Sequence, residues 1–439
     1  MNINLVLGLI IFLILLFIFG ILWARSIHPF WSSQPVFYIY NLKYLLFPPG
    51  IIDHKLPLPN KFCDFYFTQT ITMKTAKEII SEKMKYKSRN KTILNDSDKK
   101  DLFFAFSPEL LSHFTKFLQK YQTFDKNIIY KPTTRHLFSY FQNHNHPCYL
   151  TLWSNNIHTL KTKDFRNING YITSRPVEMW LDGYSIIIYF MDYLCTNSKV
   201  KIDYNYRKNP RNKNFVSKLI QSHIYKQRHN NKSIDITLFR KDSSLRMVIP
   251  FITYITYGFK LHYWKLPKSM HTSLNMLRIT PDNFYYCREI LNIFARLRFS
   301  CCIYPTMGNI LTRIKAESLI MISLLHNKDI IALYIFEDPK LNKKMELENK
   351  PREIKIIDCI ASISKCKDIN LFILGFHKCM LYLRKKQYGF LRIQNISNND
   401  HIIENILTKY TPDLINKSSY YFHNFAYHTK KSNDTLIIS

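Results

Sequence analysis

A cluster of basic residues lies between a strand-like segment and a helix-like segment in the first half of the chain. Residues 199–206 read KVKIDYNY, and the segment from Phe215 reads FVSKLIQSHIYKQR, with apolar residues at helical spacing. Residues 201–232 hold nine Lys or Arg against one carboxylate, Asp203. A helix N-terminus favours anions, so a basic loop that opens a helix can hold a pyrophosphate. A solvated basic face is the commoner origin of such a cluster in a chain with formal net charge +31.

Other phosphate-binding and metal-binding patterns are weaker or missing. The sequence contains neither GxxxxGK[ST] nor GxGxxG, so a phosphate site must work without a glycine-rich loop. The 9 Cys form no C-x-x-C pair. His144, His146 and Cys148 in the run HNHPC could ligate a metal, but this spacing without a second pair is more typical of a polar loop. We therefore expect no metal and mostly buried, reduced thiols.

The N-terminus carries an apolar segment unlike the rest of the chain. Residues 5–24 read LVLGLIIFLILLFIFGILWA, which is the length that a helix needs to cross a bilayer. No basic region precedes this segment and no small-x-small cleavage site follows it, which argues against a cleaved signal peptide. Arg25, with Trp23 and Trp31, indicates a cytoplasmic interface on its C-terminal side. The sequence predicts a single-pass transmembrane anchor with the body of the protein facing the cytosol.

The elements that follow alternate between strand-like and helix-like patterns. CYLTLW from Cys148, INGYITSRPVEMWL from Ile168 and SIIIYF from Ser185 are strand-like, whereas EIISEKM from Glu78 is helix-like. The 439 residues, 46% of them hydrophobic, suffice for two domains with their own cores. We predict a mixed α/β protein without internal repeats.

Two motifs after the apolar segment resemble a known family. PFWSSQPV, from Pro29 to Val36, resembles the F-W-x-T-Q-P-V segment with which N-myristoyltransferases begin their ordered catalytic domain. PLPNKFCDF, from Pro57 to Phe65, resembles the P-L-P-x-G-F-x-W motif of the same family, with Lys61 in place of the glycine. Both motifs occur in the order in which the family has them.

The resemblance continues along the chain in the same order. NGYITSRP at Asn169 resembles the family's G-F-I-S-A-I-P strand, and RKNPRNKNFVSKLI, from Arg207 to Ile220, resembles H-K-K-L-R-S-K-R-L-A-P-V-L-I, the loop and helix that hold the CoA phosphates. The tail SSYYFHNFAY, followed by DTLIIS, resembles the closing Y-Y-L-Y-N-W and the final strand. The likeness covers nearly everything from Pro29 to Ser439, and the basic cluster gains a specific interpretation from it.

The resemblance implies two tandem GNAT-like acyl-CoA N-acyltransferase lobes after the anchor. The expected division is an anchor at residues 1–25, an acyl-CoA-binding lobe at 26–265 and a peptide-groove lobe at 266–439. The implied activity is transfer of myristate, or a related acyl group, from myristoyl-CoA to the N-terminal glycine of a protein. No metal takes part. The expected partners are acyl-CoA, an acceptor protein or peptide and, through residues 5–24, a membrane.

The resemblance also implies roles for individual residues. Pro29, Phe30 and Trp31 would contact CoA and the acyl chain. The backbone at Tyr204 and Asn205 would form the oxyanion hole, and the carboxylate of Ser439 would be the general base. The implied CoA-binding residues of the basic loop and helix are Tyr206, Arg207, Lys208, Arg211, Asn212, Lys213, Asn214, Phe215 and Val216.

Two other readings of the sequence stay open. The stretch ITLFRKDSSLRMVIPFITYITYGF stands where the family shapes its glycine pocket and shows no clear likeness to it. This difference is consistent with a catalytically degenerate relative that binds acyl-CoA or serves as a structural membrane protein. A nucleic-acid binder is the third reading, but the basic residues are spread along the chain without an RRM, KH or helix-turn-helix signature, so nucleic acid is not an expected partner.

Overall fold

The computed structural model describes most of the chain. The described residues are 3–27, 30, 46, 50–60, 62–78, 80–81, 108–122, 124, 127–155, 158–162, 164–197, 215–242, 245, 248–264, 274–327, 329–347 and 350–438. They form a mixed α/β structure, as the sequence predicts.

The helices and strands have the following bounds. The described helices are α1 (Ile3–Ile27), α2 (Pro108–Tyr121), α3 (Thr134–Ser139), α4 (Thr159–Thr162), α5 (Phe215–Asn230), α6 (Phe284–Glu289), α7 (Ala295–Arg298), α8 (Met307–Lys315), α9 (Ile369–Lys385) and α10 (Asn399–Leu407). A π-helical turn, Ile290–Phe294, joins α6 to α7. The described strands are β1 (Gly50–Ile51), β2 (Thr68–Thr72), β3 (Ile128–Tyr130), β4 (Tyr149–Ser154), β5 (Ile168–Leu181), β6 (Tyr184–Thr196), β7 (Thr237–Asp242), β8 (Ile252–Lys260), β9 (Leu274–Arg278), β10 (Cys301–Tyr304), β11 (Leu319–His326), β12 (Asp329–Glu337), β13 (Leu341–Leu347), β14 (Lys350–Ser364), β15 (Tyr388–Gln394), β16 (Leu414–His423), β17 (Phe425–Ala426) and β18 (Thr435–Ile437).

One continuous sheet runs through the described part of the chain. Its main path is β18-β10-β5-β6-β7-β16-β8-β15-β14-β12-β11-β9, and β13, β3, β4 and β2 are attached at its sides. Most residues of β5 are buried on both faces of the strand, because layers cover the sheet on both sides. Its sequence, INGYITSRPVEMWL, is accordingly apolar with little alternation.

Two strand–helix–strand units form the framework of the sheet. In the first unit α5 connects the parallel neighbours β6 and β7, and in the second α9 connects the parallel neighbours β14 and β15. Parallel neighbours require a crossover of at least a dozen residues, and helices of 16 and 17 residues provide it. Helix α9 packs onto the sheet through an apolar face that includes Phe372, Phe376 and Leu383. The buried residues of α5 include polar side chains such as His223 besides the apolar Leu219.

Hydrogen bonding crosses the division predicted at residues 265 and 266. β16, from the last part of the chain, pairs with β7 and β8, and β10 pairs with β5. β18 in turn runs parallel to β10. The two halves therefore exchange strands, and the predicted domain bounds stay a prediction.

No helix in the described residues has both the length and the apolar character that crossing a membrane requires. The transmembrane segment predicted at residues 5–24 is thus not confirmed. Helix α1 does cover this stretch, from Ile3 to Ile27.

Candidate active site

Strands β6 and β7 diverge within the first strand–helix–strand unit. Their parallel pairing joins Tyr189 to Thr237, Phe190 to Leu238 and Met191 to Phe239. Beyond Met191 and Phe239 both strands continue, but no further pair joins their described residues. Within the part of the chain that the structure describes, the facing backbone groups of these two strands are not paired with each other across this gap. Unpaired backbone groups of a sheet strand can bind a ligand.

A β-bulge lies where the strands begin to separate. On the other side of β6, Thr173 pairs with Asp192 and Tyr171 pairs with Cys195, so Tyr193 and Leu194 together face the single residue Ile172. Tyr193 has φ +49°, a left-handed conformation that is uncommon for an aromatic residue. Its N–H donates to Asp192 Oδ1 at 2.8 Å. Bulges turn backbone groups out of the ladder and often lie beside active sites.

One face of the sheet at the gap is apolar and aromatic. Phe30 is buried against Phe239, with ring centroids 5.3 Å apart, and stacks on His423 at 5.1 Å. Trp153 contacts Phe215 edge to face, with centroids 4.7 Å apart. We call this cluster the donor face; its buried members are Phe30, Trp153, Ile172, Met191, Leu219, Ile220, Ile224, Phe239 and Tyr421.

Helix α5 begins on the donor face. Its first residue, Phe215, packs against this cluster, and its first turn contains no acidic residue. The helix is fixed to the sheet from within, since His223 Nδ1 lies 2.8 Å from the hydroxyl of Thr151 on β4. The positive end of the helix dipole therefore lies beside the gap, where it can favour an anion.

The opposite face of the sheet carries charged side chains. Opposed residues in paired strands point to the same face, so the register places Arg175, Asp192, Arg240 and Arg392 together on this side. The side chain of Arg240 is 44% exposed, so this face is partly open to solvent. We call this surface the acceptor face; its polar members are Thr173, Arg175, Asp192, Arg240, Asp242, Ser418, Tyr420, Arg392 and Asp358.

Two buried arginines meet over one aromatic ring at the acceptor face. The guanidinium carbon of Arg175 lies 5.2 Å from the centroid of Tyr140 and that of Arg313 lies 4.3 Å from it. Arg313 donates to Glu337 at 3.0 Å, and the Tyr140 hydroxyl donates to the same carboxylate. Phe190 closes the other side of Arg175, at 5.3 Å.

Burial governs the protonation of this cluster. Burial lowers the pKa of Arg313 to about 9, and the nearby Arg175 adds to the effect. Burial also lowers the pKa of His144, again reinforced by Arg175 and Arg313, so His144 is neutral at pH 7. The pKa of Glu337 is raised by burial and by the neighbouring Asp358. The cluster is thus a region where burial, reinforced by the positive charge of Arg175 and Arg313, disfavours protonation of a basic group.

The second strand–helix–strand unit repeats this geometry, but its gap is filled. Pairing of β14 with β15 ends at Cys359 and Ile393, and Ile360 is an extra residue in the ladder with β12. Asn399, which is fully buried, donates to the carbonyl of Gln394 at 2.8 Å and accepts from the Ser362 hydroxyl at 2.6 Å. Its side chain bridges the second gap, whereas no described pair bridges the first gap beyond Met191 and Phe239.

No group of three or more His, Cys, Asp or Glu side chains able to hold a metal occurs in the described residues. The sequence HNHPC is more typical of a polar loop than of a metal site, and its side chains make contacts within the protein. His144 Nε2 contacts the carbonyl of Tyr140 at 2.9 Å, and Cys148 is buried.

The structure describes few of the residues predicted to act. It places Phe30 and Phe215 together on the donor face, and it places Val216 beside them with 39% exposure. The predicted catalytic positions Tyr204, Asn205 and Ser439 lie outside the described residues. So do the predicted CoA-binding positions Pro29, Trp31, Tyr206, Arg207, Lys208, Arg211, Asn212, Lys213 and Asn214. All these roles stay predictions.

Sequence reasoning missed the bulge and the buried arginines. The bulge leaves no local signal, because Tyr193 is neither Gly nor Asn and its neighbours read as an ordinary strand. Arg175, in contrast, could have been noticed in the sequence. It is a lone cation inside the apolar run INGYITSRPVEMWL, and such a residue in a strand buried on both faces indicates either a buried partner or a site.

Solved structures with this architecture are known. A structure of Saccharomyces cerevisiae N-myristoyltransferase with bound myristoyl-CoA matches 92% of this chain and 94% of its own, with a TM-score of 0.61 and 12% identity. A structure of the yeast enzyme with bound myristoyl-CoA and inhibitors matches 94% and 93%, with a TM-score of 0.61 and 13% identity. No protein-family model matches the chain, and the search of curated proteins finds no significant match. The chain therefore has the fold of the N-myristoyltransferases, as the motifs of its sequence predict.

Proposed function

We propose that this protein is an N-acyltransferase with myristoyl-CoA as acyl donor and the N-terminal glycine of a protein as acceptor. The observation that carries the proposal is the gap between β6 and β7, because it joins an apolar face to a charged face beside a β-bulge. An acyl chain fits the first face, and an amine with its peptide fits the second. The thioester would lie between them.

The chemistry is a direct transfer. The neutral acceptor amine attacks the thioester carbonyl, a C–N bond forms and the C–S bond breaks. CoA leaves as a thiolate and takes up a proton, while the amine gives up one proton to a base. Backbone N–H groups at the gap can stabilise the developing oxyanion, which side-chain replacement need not disturb. Burial lowers the pKa of His144, and the nearby Arg175 and Arg313 add to this effect. An acceptor amine that is buried beside the same two arginines would be kept neutral for the same two reasons.

The predicted roles of the terminal carboxylate and of the basic loop belong to this proposal. The chain before Ser439 supports the first role, since Ile438 is buried and its N–H donates to Ile303 at 2.8 Å beside β5. The position of α5 supports the second, because the loop from Tyr206 to Asn214 precedes its N-terminus. Adding one alanine after Ser439 should abolish transfer and leave acyl-CoA binding intact.

Transfer itself is the decisive experiment. The full chain, purified in mild detergent, is incubated with labelled myristoyl-CoA and a library of N-terminal-glycine peptides. Trp153→Leu removes a ring from the donor face, whereas Trp264→Leu removes an equally buried ring, 4% exposed in both cases, from the core of the second half. We expect transfer by the wild type and by Trp264→Leu, and at least a tenfold higher KM for myristoyl-CoA in Trp153→Leu. Equal effects of the two substitutions would contradict the assignment of the donor face.

A non-catalytic acyl-CoA-binding protein is the second candidate function. One observation favours it: the N–H of Tyr193 at the bulge is already bound to Asp192, so it is not free to stabilise an oxyanion. Myristoyl-CoA binding measured by calorimetry, without transfer to any peptide of the library, would establish this second function.

The location of the protein is also part of the proposal. Large apolar side chains of α1 between Leu5 and Phe19 are exposed, with values from 46% to 71%. Such a helix favours lipid over water, so we propose membrane attachment through α1 with the body in the cytosol. Carbonate-washed membranes should retain the full chain and release the double variant Ile10→Lys, Leu13→Lys. Equal release of both proteins would refute attachment through α1.

A further inference from the structure

Arg175 is a buried arginine whose guanidinium has no hydrogen-bond partner among the described residues. It is 1% exposed, and none of its three guanidinium nitrogens is bonded to the described part of the chain. Burying a charge is costly unless the charge is paired and hydrogen-bonded. A guanidinium in this state has the capacity to bind a planar anion with two parallel hydrogen bonds.

The guanidinium of Arg175 contacts the rings of Tyr140 and Phe190, while the hydrogen bonds of the nearby carboxylates go to other groups. Glu337 accepts from Arg313 and from Tyr140, so it belongs to the neighbouring arginine. Asp192, on the same face, accepts from the N–H of Tyr193 within the bulge. Neither carboxylate accepts a hydrogen bond from Arg175 in the described part of the chain.

The strand geometry places Arg175 on the acceptor side of the gap. Side chains alternate along β5, so Ile172 belongs to the donor face while Thr173 and Arg175 point the other way. Arg175 pairs with Phe190, and Thr173 pairs with Asp192, the last regular pair before the bulged residues Tyr193 and Leu194. At about 3.3 Å per residue, the backbone of Arg175 lies about 7 Å along the strand from this pair at the edge of the bulge.

We infer that Arg175 binds a carboxylate of the acceptor, and that this carboxylate belongs to the second or third residue of the acylated chain. The inference rests on the proposed function, which places the reacting amine at the bulge. An extended peptide covers about 3.3 Å per residue, so about 7 Å corresponds to one or two residues beyond the acylated glycine. The acceptor class is thus a protein that begins with glycine followed closely by Asp or Glu. The Tyr140 ring, which covers both guanidinium groups, moves aside as the carboxylate enters.

Paired peptides test this inference on the full chain. The probes are N-terminal-glycine octapeptides with Glu at position 2, 3 or 6, each with a Gln counterpart of the same shape. Binding is measured by calorimetry in the presence of a non-hydrolysable acyl-CoA, and transfer is measured with myristoyl-CoA. We expect Glu at position 2 or 3 to bind about tenfold more tightly than Gln, and no preference at position 6. Equal binding of all Glu and Gln pairs would overturn the inference.

Substitutions of Arg175 provide a second test of the inference. Arg175→Met should abolish the preference for Glu, and Arg175→Lys should keep part of it. Arg175→Met should also raise Tm, because it removes an unpaired buried charge. Arg166→Met is the matched control, since the side chain of Arg166 is 88% exposed and lies away from the acceptor face. A fall in Tm for Arg175→Met together with an unchanged preference for Glu would assign Arg175 a structural role.

The two proposals fail in different ways. Binding with a Glu preference but without transfer would reject the acyltransfer reaction and keep the anion site. Transfer without a Glu preference would keep the reaction and reject the anion site. Free acetate that abolishes the preference only at concentrations far above that of the peptide would confirm that the carboxylate acts as part of the acceptor.

Discussion

Removing the side chain of Asn399 is the sharpest test of how the two halves of the sheet differ. Asn399 is fully buried, and it bonds Gln394, Cys359 and Ser362 across the second gap at 2.8, 3.4 and 2.6 Å. Asn399→Ala leaves these groups without that partner inside the protein. At about 1 kcal/mol for each bond, the loss in unfolding free energy is about 3 kcal/mol.

Thermal unfolding measures this loss. With an unfolding entropy of about 2.1 cal/mol/K per residue, a chain of 439 residues should lose about 3 to 4 °C in Tm. Asn230→Ala is the control, because Asn230 is exposed and its side chain makes one bond of 3.4 Å, to Thr72, within the described residues. We expect it to change stability by no more than about 0.5 kcal/mol. An effect of Asn399→Ala no larger than that of the control would refute the view that this side chain closes the second gap.

Three further predictions follow from the same contacts. Since the second gap is filled, calorimetry should give one bound myristoyl-CoA per chain, and a second site of equal affinity would contradict this. Burial lowers the pKa of His223 and of His423 to about 3, so each favours the folded state fully above the unfolded pKa of about 6.5 and loses about 1.4 kcal/mol per pH unit below it. Denaturant unfolding should show a contribution from the two together that approaches about 2.8 kcal/mol per pH unit between about pH 6.5 and about pH 5, and His423→Phe should remove about half of it. Arg392→Met leaves the buried Asp358 unpaired and should cost about 3 kcal/mol in urea unfolding, whereas adding Asp358→Leu should recover most of the loss.

The fold could be read from the sequence because its signals are local and ordered. Three short motifs, at Pro29, at Pro57 and in the strand NGYITSRP, occur along this sequence in the same order as in the N-myristoyltransferases. The fold is similar to that of the same enzymes. The exchange of strands between the halves could not be read in this way. β16 pairs with β7 and β8 through residues that lie 156 to 186 positions apart, and no short pattern encodes such a pairing.

The candidate site was only partly predictable. Phe30 lies in a recognisable motif, and Phe215 begins a segment with apolar residues at helical spacing. The structure brings both residues to the donor face. The acceptor face depends on the register of seven strands, so Arg175, Arg240 and Arg392 appear unrelated along the sequence. Register depends on long-range packing, and a shift by one residue would move every one of these side chains to the other face.

Hydrogen exchange on addition of a non-hydrolysable myristoyl-CoA tests the central claim most directly. The account predicts that the amides of Met191–Thr196, Phe239–Asp242 and the first turn of α5 become protected, while those of Ile360–Ser364 at the filled gap stay unchanged. Protection at the second gap, or none at the first gap under saturating ligand, would contradict the assignment of the acyl-CoA site to the diverging strands β6 and β7.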